Sequence, residues 1–156
     1  MEFAVPDDVE ISTRFTSYPH PTVFNIIQMG SIVYKVFLVG LGGCVGSIVR
    51  YWLQGIAYRW TGPGFPYGTL LVNIVGCFFI GLIMTLSEER FLINPEVRIF
   101  IAIGILGGFT TFSSFSYETL ALVNGANYFA ALGNILSSVV IGLTATWLGM
   151  VLARLF

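Results

Sequence analysis

Charge is what this 156-residue chain has least of. Asp, Glu, Lys and Arg make up 10% of it, where about 25% is usual in a soluble domain. The charges nearly cancel, seven basic against eight acidic. That leaves no basic footprint for a phosphate backbone, and nucleic acid is not expected as a partner. Histidine occurs once, as His20 near the N-terminus, so no histidine relay or histidine metal centre is expected in the rest of the chain. The two cysteines, Cys44 and Cys77, sit inside apolar runs and form neither a metal spacing nor a disulfide framework. No basic stretch leads into an apolar one at the N-terminus, so a signal peptide is not expected.

What is present is apolar. Hydrophobic residues account for 56%, and the 18 glycines bring the share to about two thirds, against about 45–50% in a globular chain. A disordered chain and a coiled coil are excluded, and an integral membrane protein is left. Residues 32–49 carry one charge, Lys35; residues 68–87, 99–117 and 119–153 carry none. A membrane helix needs about 20 apolar residues. The last stretch is too long for one span and contains Asn124-Gly125-Ala126-Asn127. It is read as the end of a third helix, a turn, and a fourth helix from about Tyr128 to Ala153. The short alternating segments of a membrane barrel are absent. The expectation is an all-α integral membrane protein of four transmembrane helices, with both termini on one side and connections too short for a further domain. Residues 1–31 form a polar extension bearing Glu2, Asp7, Asp8, Glu10, Arg14, Pro6, Pro19 and Pro21, expected to be mobile. Residues 32–156 form the membrane domain. Met29 stands as an alternative start.

Near the helix ends, Lys35, Arg90, Arg98 and Arg154 fall on one side, and Arg50 and Arg59 on the other. This bias is weak by the standard of a strongly oriented protein and permits insertion in both orientations. Glycines Gly40, Gly42, Gly43 and Gly46 in the first helix, with Gly76 and Gly81 in the second, let helices approach closely. Four short helices cannot enclose a wide solute path, so a homodimer is expected.

The third helix is unusual. It reads Gly104-Ile105-Leu106-Gly107-Gly108-Phe109-Thr110-Thr111-Phe112-Ser113-Ser114-Phe115-Ser116-Tyr117-Glu118. Gly-Gly weakens helix continuity. Two readings follow. If the helix breaks, freed carbonyls need a partner in the membrane, and a hard cation such as Na⁺ suits them. If it stays whole, the hydroxyls bond back to the preceding turn. Phe109, Phe112 and Phe115 would share one helix face, either as packing or as a row of electropositive ring edges for a small anion. Asn73 donates to a neighbouring helix or to an anion. Glu118 is either a functional intramembrane carboxylate or one near the interface. Arg50, beside Tyr51 and Trp52, is expected where the first helix reaches the interface and to snorkel there.

Three motifs in this order carry a family resemblance. They are Gly42-Gly43-Cys44-Val45-Gly46-Ser47 with Arg50, Gly68-Thr69-Leu70-Leu71-Val72-Asn73, and the third-helix run above through Ser116, with Glu118. Over 32–156 the chain resembles the Fluc (CrcB) fluoride channels. The resemblance implies a dual-topology homodimer of antiparallel subunits in the cell membrane, with two narrow fluoride pores that export F⁻ passively. It implies a central structural Na⁺, not transported, on the backbone carbonyls of Gly107 and Thr110. It places Phe112, Phe115 and Asn73 in the pore, Glu118 after the phenylalanine motif, and Asn134 and Ser138 at polar pore-facing positions of the fourth helix. Gly142 falls where the family often has serine. Phe109 replaces a usual leucine and Ser114 a threonine, and the N-terminal extension has no family counterpart.

Two other classes compete. A proton-coupled exporter similar to the small multidrug resistance proteins would be a four-helix, dual-topology dimer too. Its essential glutamate lies in the first helix, where this chain has no acid. A membrane enzyme would need a nucleophile with a base, and the hydroxyls of Thr110 to Ser116 have no basic partner nearby in sequence.

Overall fold

The structure, a computed structural model, describes residues 21–156, with side chains from Met29 onward. Among these residues there are helices and no strand. Four helical stretches are long and apolar enough to cross a membrane: Met29–Thr61, Tyr67–Glu88, Pro95–Asn124 and Tyr128–Ala153. Of the polar extension read as 1–31, residues 1–20 with His20 lie outside the described residues, while residues 21–31 are the first turns of a helix.

Helix α1 (Pro21–Thr61) has 41 residues. At about 1.5 Å per residue it is about 60 Å long, roughly twice the hydrocarbon thickness of a bilayer. The window expected from the sequence, 32–49, is only its middle. No proline interrupts it after Pro21, whose missing N–H costs nothing in a first turn. It stops at Gly62, which takes φ +74° and closes the last turn by donating to the Tyr58 carbonyl at 2.9 Å. Residues 62–66 lead to α2 (Tyr67–Glu88). The third span opens with α3 (Pro95–Arg98), capped by the Asn94 side chain accepting from the Val97 N–H at 2.8 Å. A π-helical stretch (Ile99–Ile105) follows, then α4 (Leu106–Phe109) and α5 (Phe112–Asn124). The turn at 125–127 uses Ala126 at φ 57°, and Asn127 caps α6 (Tyr128–Ala153). The fourth helix thus has the bounds read from the sequence.

Two glycine seams hold the bundle. Along the first, α1 lies backbone to backbone on the third span. A methyl group on Gly46 would collide with the Ile105 carbonyl, one on Gly42 would meet the Phe100 carbonyl at 2.6 Å, and one on Gly104 would reach the Gly42 Cα at 3.0 Å. Along the second, α2 and α6 run parallel, with Gly81 against the Thr146 carbonyl and Gly149 against the Phe78 carbonyl. The small core between the seams is Val72, Leu106 and Phe109, with Leu53, Val75 and Ile80 packed around it. The outer surface is apolar, with Ile32, Phe37, Ile48, Leu143 and Trp147 exposed, as lipid contact requires.

Charge gathers where the spans end. Arg98 pairs with Glu88 at 3.0 Å, and Arg154 grips Glu89 through two bonds of 2.9 Å. The Arg154 hydrogen bonds hold the Glu89 carboxyl below the usual carboxylate range and raise the guanidinium in turn. Both groups are exposed, so this clamp orders the α6 terminus more than it stabilises the fold.

The first seam makes a direct prediction. Gly46→Ala should destabilise the folded protein by about 1–3 kcal/mol, because backbone cannot move aside. Gly40→Ala, six residues earlier with no atom within 4 Å of its Cβ position, should leave stability unchanged or raise it by up to about 1 kcal/mol. Thermal melting in detergent checks both.

Candidate functional site

The helix of the third span is interrupted at Thr110 (φ −81°, ψ 158°) and Thr111 (φ −151°, ψ 115°), which are extended. Gly107 and Gly108 are themselves helical, so their weak helix preference lies one turn ahead of the interruption. The local partner that makes the extended pair tenable is Asn73 of α2. Its Oδ1 accepts from the Thr111 N–H at 2.8 Å, and its Nδ2 donates to the Thr111 carbonyl at 3.0 Å. One side-chain amide thus takes over both backbone groups of one residue, and the backbone donor fixes which way the amide points.

The consequence falls on two carbonyls. In a continuous α-helix the Thr111 N–H would donate to Gly107, four residues back; here it goes to Asn73. The Ser114 N–H would likewise donate to Thr110, and instead it goes to the Thr111 hydroxyl at 3.2 Å, which caps α5. Gly107 and Thr110 therefore lose their helical donors. Arg50 reaches the Thr110 carbonyl at 3.4 Å. The hydroxyls split between the two sequence readings: Thr110, Ser116 and Thr119 bond back to carbonyls four residues earlier, while Thr111 serves the new helix start.

Beside the interruption lies a cavity of about 410 Å³. Asn73, Gly107, Thr110, Phe112, Phe115 and Ser138, six of the nine residues singled out in the sequence, are on its wall. No wall residue is charged. The Phe112 and Phe115 rings lie 5.5 Å apart at 45°. Phe112 is 79% exposed, so the cavity opens on the outer face of the subunit. The Ser138 hydroxyl oxygen is buried and has no hydrogen-bond partner among the described residues.

One expectation is corrected, and three candidates take definite places. Phe109 does not share a face with Phe112 and Phe115. The extended pair re-aims the chain between them, and Phe109 is 6% exposed in the core. Arg50 lies inside α1, which continues to Thr61, and its guanidinium donates to the Thr110 carbonyl. Glu118 and Asn134 are not on the cavity wall. Asn134 is 2% exposed and donates to the Thr119 hydroxyl at 2.8 Å, joining α6 to α5. Glu118 Oε1 accepts from Tyr58 at 3.0 Å and from Thr69 at 2.8 Å, tying α5 to α1 and α2, while its Oε2 is buried with no partner among the described residues.

The family model described as CrcB-like protein, Camphor Resistance (CrcB), matches residues 37–150. This chain belongs to the CrcB family. A protein named fluoride-specific ion channel FluC from Geobacter metallireducens is 50% identical over 119 residues, covering 76% of this chain and 96% of that one. Proteins of the same name from Citrifermentans bemidjiense and Solibacter usitatus are each 47% identical, over 126 and 120 residues, covering 98% of their own lengths. With four apolar crossing helices, this CrcB member is a multi-pass protein of the cell membrane. The matched stretch contains every site residue named above and leaves the polar extension outside it.

Sequence reasoning passed over Thr69 and Cys77, which stand one turn to either side of Asn73 on α2. Their spacing of four puts them on one helix face, and that signal was available. It also passed over the bracing of Thr111, which involves residues 38 positions apart and has no signature along the chain.

If Asn73 holds the interruption open, Asn73→Ala should leave the Thr111 backbone groups without partners, at about 1–3 kcal/mol each. Hydrogen exchange of the peptide spanning 110–115 should then quicken by about tenfold or more. Unchanged protection would mean the extended pair stands without the amide.

Proposed function

We propose that this chain is a fluoride channel, conducting F⁻ passively out of the cell as an antiparallel, dual-topology homodimer. The observation that carries the reading is the uncharged cavity beside the interruption, where Phe112, Phe115, Asn73 and Ser138 converge. Membership of the CrcB family and relatives named as fluoride-specific ion channels support the choice of ion. The function is conduction rather than catalysis.

The physics follows from the ion. Fluoride is small and strongly hydrated, so a path must replace its water without holding it. A lysine or arginine on the wall would bind it too tightly for quick release. Ring edges carry a weak positive potential. The Asn73 amide has a second N–H beyond the one given to Thr111, and the Ser138 hydroxyl has its proton unassigned. These are donors enough to pass an anion along and none strong enough to trap it.

The interruption has a different role in this reading, as a mid-membrane break. Gly107 and Thr110 would hold a structural Na⁺ on neutral carbonyl oxygens, the donor type a hard cation prefers. Two such carbonyls per subunit are too few for a coordination shell, and a second, antiparallel copy would complete it. The same copy would close the cavity, whose open side bears Phe112. When bound, the ion would supply a fixed positive charge at the dimer centre. The chain's own part is to present the carbonyls, through the Asn73 bracing, and to keep the pore wall free of side-chain charge.

Two outcomes test this in proteoliposomes loaded with fluoride. Phe112→Ile and Phe115→Ile should each lower F⁻ efflux by about tenfold or more, with the dimer intact, because bulk is kept and the ring edge lost. Efflux equal to the parent would make the rings packing residues. Replacing Na⁺ on both sides by a large organic cation should abolish efflux, and unchanged efflux would leave the Gly107 and Thr110 carbonyls without that role. Efflux needing no proton gradient separates the channel from a proton-coupled exporter of the small multidrug resistance type.

A further inference from the structure

Cys77 is half-buried on α2 and lies on the wall of the cavity that holds Asn73, Phe112, Phe115 and Ser138. Its place there follows from the α2–α6 seam. Gly81 meets Thr146, and a Cβ built on Gly142 would touch the Cys77 sulfur at 3.5 Å. The two helices run parallel in this register. One turn earlier on each, the register sets Asn73 level with Ser138. The cavity therefore has two levels. At the first, α2 offers an amide and α6 a hydroxyl. At the second, α2 offers the thiol on the wall, and behind it α6 has Gly142, which is buried, off the wall and without a side chain. The space a side chain at 142 would enter is the space the sulfur borders.

Independently of the cysteine, Ser138 points to a ligand. Its hydroxyl oxygen is buried on this wall and has no partner among the described residues. A buried hydroxyl left unbonded costs free energy, and a rotation of the Ser138 side chain toward the cavity would let an anion there accept from it. One turn on, a thiol can donate to the same anion, more weakly than a hydroxyl.

We propose that Cys77 lines the anion path and donates from its thiol at the level where Gly142 leaves α6 without a donor. This rests on the fluoride-channel reading above and names a residue for it. The anion leaves the Asn73–Ser138 level for a weaker donor, so the second level eases the step without becoming a trap. A further consequence is that conduction in this protein is sensitive to thiol reagents.

The test uses F⁻ efflux from proteoliposomes, in a Cys44→Ala background so that Cys77 is the one thiol left. Methyl methanethiosulfonate, which adds a methylthio group to the sulfur, should lower efflux by about tenfold or more, the cost of losing a donor and filling its space. Fluoride present during treatment should slow the reaction. In the same background, Cys77→Ser should be insensitive to the reagent. Cys77→Val should lower efflux by about fivefold or more, and Gly142→Ser added to it should recover most of the loss by placing a hydroxyl at the same level. If the valine variant does not yield a monodisperse protein, the reagent acting on the folded Cys44→Ala protein decides alone. Efflux unchanged by the reagent overturns the proposal. If the Cys44→Ala protein conducts and its thiol arms are silent, Cys77 alone is wrong; if it and the unaltered protein both move no fluoride, the channel reading falls with it.

Discussion

The pair of hydrogen bonds between the Asn73 amide and the backbone of Thr111 is the constraint on which the rest of the site depends. A buried N–H or C=O without a partner is costly, so an interrupted helix persists inside the bundle only if something else meets its backbone groups. Asn73 meets two of them at 2.8 and 3.0 Å. Because it does, Thr110 and Thr111 stay extended, Phe109 turns into the core, and Phe112 and Phe115 turn to the cavity. The Gly107 carbonyl loses its helical donor to the same amide, and the Thr110 carbonyl loses its own to the Thr111 cap of α5 and accepts from Arg50.

That interaction in turn needs the helices close together. α2 must lie near enough for a short amide to reach the third span's backbone. The glycine seams supply the approach: Gly42, Gly46 and Gly104 on one side of the third span, Gly81 and Gly149 between α2 and α6. In lipid, where apolar surface alone gives helices little reason to prefer one another over acyl chains, close backbone packing and interhelical hydrogen bonds are the main adhesion. Polar ties extend it. Glu118 joins three helices through Tyr58 and Thr69, and Asn134 joins α6 to α5. These residues resemble pore candidates in sequence because a buried polar group is rare in such a chain for either purpose.

Much of the fold was legible beforehand. The four apolar stretches, the Asn124–Asn127 turn and the bounds of α6 follow from composition, since a segment without charge that is long enough to cross must cross. The third-helix run was legible as an anomaly, and the family resemblance assigned its parts. The first helix was less legible. A count of charge gives a span that ends before Arg50, but α1 runs on to Thr61, because Arg50 has the Thr110 carbonyl to bond and no residue before Gly62 stops the helix.

The sequence by itself determined the class of the protein, the number of its spans and the residue types available for a site. These depend on local composition, which acts wherever the chain is put. The tertiary structure decided which of those residues share a wall and which are ties. It separated Phe109 from Phe112 and Phe115, set Glu118 and Asn134 between helices, and brought Cys77 and Gly142 into line with Asn73 and Ser138. The physical reason is that each of these outcomes rests on contacts between helices far apart in the chain, and on an interruption whose position is fixed by a partner on another helix.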